Sequence, residues 1–213
     1  MSYFIYLTLL ALAFIFSIWS KKSDQPLRIF PVLLLFSVLA EATVFVLVFV
    51  LGIKPQYLLV YHLYIPIEYT LLSMYFARTI KGRKTMIAYF ILLGVVISLC
   101  VYLSLHRGFF SFPGMNLNVA GVVLIVWSVV ALFTIKPVVN TAIYKIPVFW
   151  ISIGFLVYYS GSFFHNFIYE YLKMSENKLA ESLNDIINKG SNDVLYICLS
   201  IAFICSNRLM KST

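Results

Sequence analysis

Six side chains able to do chemistry sit inside stretches that are otherwise apolar: Glu41, His62, Tyr64, Glu68, Ser162 and His165. Four more, Asn166, Glu170, Asn192 and Asp193, fall toward the ends of such stretches and form a candidate outer rim. Carboxyl groups held away from water can bind cations, relay protons or anchor a hydrogen-bonded ligand. An ionisable group inside a membrane helix marks a functional site by default. Glu68 is the centre of the set. Tyr61, Tyr64, Glu68 and Tyr75 recur at spacings of three, four and seven, which places them on one helical stripe. Pro66 cannot donate to the carbonyl of His62, so a kink is expected beside the charge, and a ligand or proton could shift a helix bistable at that point. The structural alternative for Glu41 and Glu68 is a protonated carboxyl hydrogen-bonded to tyrosine or serine, joining helices.

His62 and His165 invite a metal reading, with Glu170 or Asp193 completing a site. Zinc needs three or four ligands in tight geometry, and no pair of histidines four residues apart occurs here. No metal and no cofactor is therefore expected, and the histidines read as packed and hydrogen-bonded. Cys100, Cys198 and Cys205 fall in apolar segments without CxxC spacing, so neither a disulfide framework nor a zinc site is signalled.

The elements that must position these groups are apolar runs. The chain is 62% hydrophobic and 11% charged, far from the roughly 45–50% and about 25% of soluble domains. The runs predict an all-α integral membrane bundle, a single domain over residues 1–213. Its seven transmembrane helices lie at about 3–20, 29–51, 57–77, 85–105, 117–135, 146–169 and 192–207. No charge precedes the first run, and Lys21 and Lys22 follow it, the pattern of an uncleaved membrane helix rather than a signal peptide. Leu179, Leu183, Ile186 and Ile187 recur at helical spacing among polar residues, with Gly190 as a candidate cap. They predict an amphipathic helix lying at the interface over about 176–189, or else a backward extension of the seventh helix. Trp19, Trp127 and Trp150 are expected to anchor, and Gly154 and Gly161 to permit close helix approach.

Charge sets the orientation. One side of the seven-helix arrangement collects Lys21, Lys22, Arg28, Arg78, Lys81, Arg83, Lys84, Lys136, Lys145, Arg208 and Lys211. The other has only Lys54, Arg107, Lys173, Lys178 and Lys189. The positive-inside rule then puts the N-terminus outside and the C-terminus in the cytoplasm. The net charge of +8 is spread through short loops, so it points to topology rather than to nucleic acid. The segment from Arg78 to Lys84 could also touch anionic lipid or a cytoplasmic protein through Arg78, Lys81, Arg83 and Lys84.

Three seven-helix families fit poorly. The seventh helix, NDVLYICLSIAFICSN, lacks the lysine of retinal proteins; the histidine pair of ceramidase-like hydrolases is missing; and the single Pro55-Gln56 lies in a loop without the repeat of sugar-transporting PQ-loop proteins. The segments PVFWISIGFLVYYSGSFFHNF (147–167), NDVLYICLSIAFICSNR (192–208) and ARTIKGRK (77–84) are more telling. On them the chain resembles uncharacterised bacterial seven-helix membrane proteins, some of which look like the membrane sensor regions of histidine kinases. The resemblance implies a sensory or binding role and no established activity.

These readings give an expected function. A bundle in the bacterial inner membrane holds a small ligand, lipid or ion in an outward-facing polar cavity between the second, third, sixth and seventh helices. The candidate residues are the six that open this section. Its other partner is membrane lipid. The alternatives are an intramembrane lipid-modifying enzyme with Glu68 or His165 as acid or base, a proton-coupled transporter, or a structural subunit of a membrane complex.

Overall fold

A computed structural model describes residues 2–20, 25–53, 56–135, 142–172 and 178–211. Among them every regular element is helical. The long helices are α1 (Ser2–Trp19), α2 (Phe30–Phe45), α3 (Tyr57–Ile80), α4 (Arg83–Arg107), α5 (Gly114–Thr134), α6 (Pro147–Leu172) and α7 (Lys178–Lys211). Helical stretches at Pro26–Val50, Arg83–Arg107, Gly114–Thr134 and Pro147–Phe167 are long and apolar enough to cross a membrane, which marks the chain as a helical membrane protein. Large apolar side chains point outward all along these stretches, among them Leu39, Phe90, Val126 and Phe133. In lipid such a surface is the ground state, not a liability.

Local chemistry explains the helix limits. Pro31 and Pro147 begin α2 and α6, where a missing N–H costs nothing. α3 and α4 are separated by Lys81 and Gly82, both at positive φ (60° and 113°), so the chain reverses in two residues. Hydroxyls inside the helices are closed on their own backbone: Ser37 donates to Leu33, Thr70 to Pro66 and Ser128 to Leu124, at 2.7–3.1 Å. α3 continues as α-helix through Pro66.

The helices close into a ring in which each packs on its sequence neighbours and α7 returns to α1, with α3 also packed on α5. α6 and α7 approach closely because Gly154 and Gly161 leave room. A Cβ at 154 would come within 2.9 Å of the Cys198 Cβ, and one at 161 would meet the Ser191 hydroxyl. Trp127 lies in the core, not at an interface, whereas Trp19 is exposed.

α7 is one uninterrupted helix, so the stretch at 178–189 extends the seventh helix instead of lying apart as an interfacial one. Gly190 does not cap it. Ser191 and Asn192 donate back to the carbonyls of Ile187 and Asn188 (2.8 and 2.9 Å), and Ser191 is wedged against Gly161. Packing against α6 carries the helix through the glycine. At ~1.5 Å per residue α7 is longer than a bilayer core is thick.

Candidate functional site

The centre of the bundle is filled in two different ways along its length. Toward the end that holds the α3–α4 turn, aromatic rings from four helices interlock. Phe30 of α2 lies 4.8 Å from Tyr75 of α3, 5.6 Å from Phe203 of α7 and 6.3 Å from Phe155 of α6, centroid to centroid. Phe76 meets Phe155 at 6.4 Å. All five rings are fully buried. Toward the opposite end this packing gives way to a cavity of about 280 Å³, the lower edge of the size range of small-molecule sites.

Two carboxyl groups stand on its wall. Glu41 is carried by α2, just before that helix widens into a π-turn over Val46–Val50. Its Oε1 accepts the hydroxyls of Tyr6 (α1) at 3.0 Å and Tyr61 (α3) at 3.2 Å. Glu68, only 6% exposed, sits on α3 with the hydroxyls of Tyr64 and Tyr159 beside its carboxyl. Tyr64 is also bonded to Ser37 of α2 at 2.6 Å. The stripe read from the sequence thus divides by depth: Tyr61, Tyr64 and Glu68 face the cavity, while Tyr75 belongs to the aromatic floor.

His165 and Asn166 of α6 and Asn192 of α7 are on the same wall. Asn166 donates through Nδ2 to Asn118 Oδ1 (2.9 Å) and Gly114 O (3.4 Å), and its Oδ1 is buried without a hydrogen bond. Of the remaining candidates, Ser162 is buried beside Tyr158 but is not on the wall. Asp193 is half-buried and also off it. The side chain of Glu170 lies outside the described residues.

His62 is the clearest departure from the sequence reading. It points away from the cavity into a closed polar cluster between α3, α4 and α5. Its Nε2 donates to the Ser111 carbonyl at 2.9 Å, which leaves Nδ1 to accept from the Ser104 hydroxyl (2.8 Å) and the Asn116 amide (3.3 Å). Asn116 Nδ2 also donates to Ser104 Oγ at 2.8 Å. The imidazole thereby pins the α4–α5 loop, and Phe112 and Pro113 of that loop, with Gly114 at the start of α5, form part of the cavity wall. His62 shapes the site from behind.

Several wall residues were not on the candidate roll: Tyr6, Ser37, Tyr158, Asn188, Lys189 and Tyr196. A signal existed for two of them, Asn188 and Tyr196. Asn188, Asn192 and Tyr196 repeat every four residues, one face of α7, once that helix is allowed to pass through Gly190. Tyr6 and Tyr196 pack edge to face at 5.6 Å, and nothing in the sequence of α1 singles Tyr6 out. Among the described residues no three His, Cys, Asp or Glu side chains gather as metal ligands would.

No family model, no curated protein and no solved structure matches this chain.

Proposed function

We propose that the chain is a seven-span sensor or binding protein of the bacterial inner membrane, with its N-terminus outside and a small ligand held in the cavity. The observation that carries the reading is the pair Glu41 and Glu68. Two carboxyl-bearing side chains from different helices line one internal space, each supported by tyrosine hydroxyls, where an ordinary bundle would place leucine.

The span count follows from where polarity lies. α3 and α7 are not among the four stretches that are long and apolar enough to cross a membrane by hydropathy, and part of each faces the cavity instead of lipid. α1 is apolar but short, about 27 Å at ~1.5 Å per residue, close to a bilayer core. By chain order the cavity lies at the end of the bundle that carries the N-termini of α1, α3, α5 and α7. Arg28, Arg78, Lys81, Arg83, Lys84 and Lys145 lie at the other end. The positive-inside rule makes the basic end cytoplasmic, so the cavity opens outward. Occupation of the cavity would then be read by a cytoplasmic partner on the α3–α4 turn.

The test is the melting of wild type, Glu41→Gln and Glu68→Gln in a maltoside detergent. A carboxyl kept for binding is held at a cost to stability, so its isosteric replacement should leave melting unchanged or raised. Lower melting of both variants would identify the carboxyls as helix glue.

A further inference from the structure

We propose that the cluster behind the cavity wall is a proton-operated latch: His62 holds the α4–α5 loop closed while its ring is neutral, and a proton on that ring releases the loop. The inference concerns regulation of the cavity proposed above, but release of the loop can be read without any ligand.

The hydrogen bonds of the cluster run in one direction. Asn116 Nδ2 donates to Ser104 Oγ at 2.8 Å, the Ser104 hydroxyl donates to His62 Nδ1 at 2.8 Å, and His62 Nε2 donates to the Ser111 carbonyl at 2.9 Å. This order needs one protonated and one bare ring nitrogen, the neutral imidazole. The side chains of His62, Ser104 and Asn116 are 5%, 4% and 2% exposed, and the Phe109 ring stands edge to face against the imidazole. A second ring proton, on Nδ1, would point at the Ser104 hydroxyl proton and at the Asn116 amide 3.3 Å away.

Charge weighs more than this geometry. The Ser104 hydroxyl could turn to accept the new proton, but the positive charge would stay buried with no opposite charge. No Asp or Glu occurs between Glu68 and Glu170, so α4, the loop and α5 hold none. The loop and α5 carry no titratable side chain at all. Near this end α4 has Cys100, Tyr102, His106 and Arg107, of which Arg107 is itself a cation. On α3, Tyr69 lies two turns deeper on the same face as His62, and Tyr61, Tyr64 and Glu68 turn to the cavity. A buried cation left without a partner is strongly disfavoured. Opening the loop puts the ring in water, where it can take the proton, so acid favours the open form. Phe112, Pro113 and Gly114 belong to the cavity wall, so the same movement changes the entrance to the cavity.

Hydrogen–deuterium exchange of the full chain in maltoside, at about pH 7.5 and about pH 5, tests the latch. The readout is the protection of amides 108–117, corrected for the pH dependence of chemical exchange. An exposed histidine titrates near pH ~6.5, so the open fraction should rise about thirtyfold over this interval. Amides 124–131 of α5 should stay protected. His62→Gln should remove the pH dependence of the loop, and His106→Gln should keep it. Asn116→Asp places a carboxylate beside the ring and should abolish release by acid. The latch is overturned if wild-type protection of the loop changes less than about threefold, or if it falls only together with that of amides 124–131. A response in His62→Gln equal to wild type would also overturn it, and so would acid release in Asn116→Asp. If His62→Gln does not melt cooperatively, Asn116→Asp decides. Each of these failures leaves the binding role standing, because that role is judged by the melting of the Glu41 and Glu68 variants.

Discussion

Replacing His62 by phenylalanine tests whether this side chain is a clamp or a ligand contact. The imidazole makes hydrogen bonds to Ser104, to Asn116 and to the Ser111 carbonyl. Phenylalanine keeps most of the volume and the ring contact with Phe109, centroids 5.8 Å apart, but keeps none of the bonds. Ser104 and Asn116 still pair with each other, so their loss is partial. The Ser111 carbonyl loses its side-chain partner altogether. An orphaned buried group costs about 1–3 kcal/mol and each lost bond about 1, which sums to a destabilisation of about 2–4 kcal/mol. Equilibrium unfolding in mixed micelles reads this directly. A double-mutant cycle with Asn116→Ala should give a coupling of about 0.5–3 kcal/mol, because both residues belong to one network. A loss below about 0.5 kcal/mol, the size of a surface substitution, would refute the clamp. Unchanged stability with abolished ligand binding would return His62 to the cavity, where the sequence alone had placed it.

Gly154→Ala should destabilise by about 1–3 kcal/mol, since its Cβ would press on Cys198 Cβ at 2.9 Å; Gly94→Ala, with open space around its Cβ, is the control in the same unfolding assay. Lys81→Gly should raise the melting temperature. Lys81 holds φ 60° and ψ 161°, a conformation that costs a side-chain-bearing residue about 1–3 kcal/mol, and its release outweighs the added freedom of the unfolded chain. If the glycine variant melts lower, the turn is not strained. Tyr6→Phe should lower stability by about 1 kcal/mol in that assay, the size of one hydrogen bond, without unfolding the protein. It removes one of the two tyrosine hydroxyls that donate to Glu41 Oε1 and leaves Tyr61 in place.

The all-helical class was legible because apolar runs in a chain this poor in charge have few other ways to close their backbone bonds in lipid. The face of α3 was legible for the same reason: Tyr61, Tyr64 and Glu68 repeat at helical spacing, and an ionisable stripe turns from lipid. What failed was the break at Gly190. Glycine is a sound stop signal on its own, but a tertiary contact, Ser191 against Gly161, keeps the helix going. Restoring that continuity exposes the Asn188–Asn192–Tyr196 face. His62 was misplaced because its three partners lie on α4, α5 and the loop between them, 42 to 54 residues away, beyond the reach of any local pattern. Tyr6 was missed because a tyrosine near the start of an apolar helix reads as an interfacial anchor.

If the cavity opens to the outside of the cell, cysteine labelling in intact cells will report it. Cys100, Cys198 and Cys205 are replaced first, and single cysteines are then placed at Asn188, on the cavity wall, and at Lys84, on the basic turn. A membrane-impermeant maleimide should label Asn188→Cys in intact cells. It should label Lys84→Cys only after the membrane is opened. Labelling of Lys84→Cys in intact cells, with Asn188→Cys protected until lysis, would contradict the orientation and the outward-facing site together.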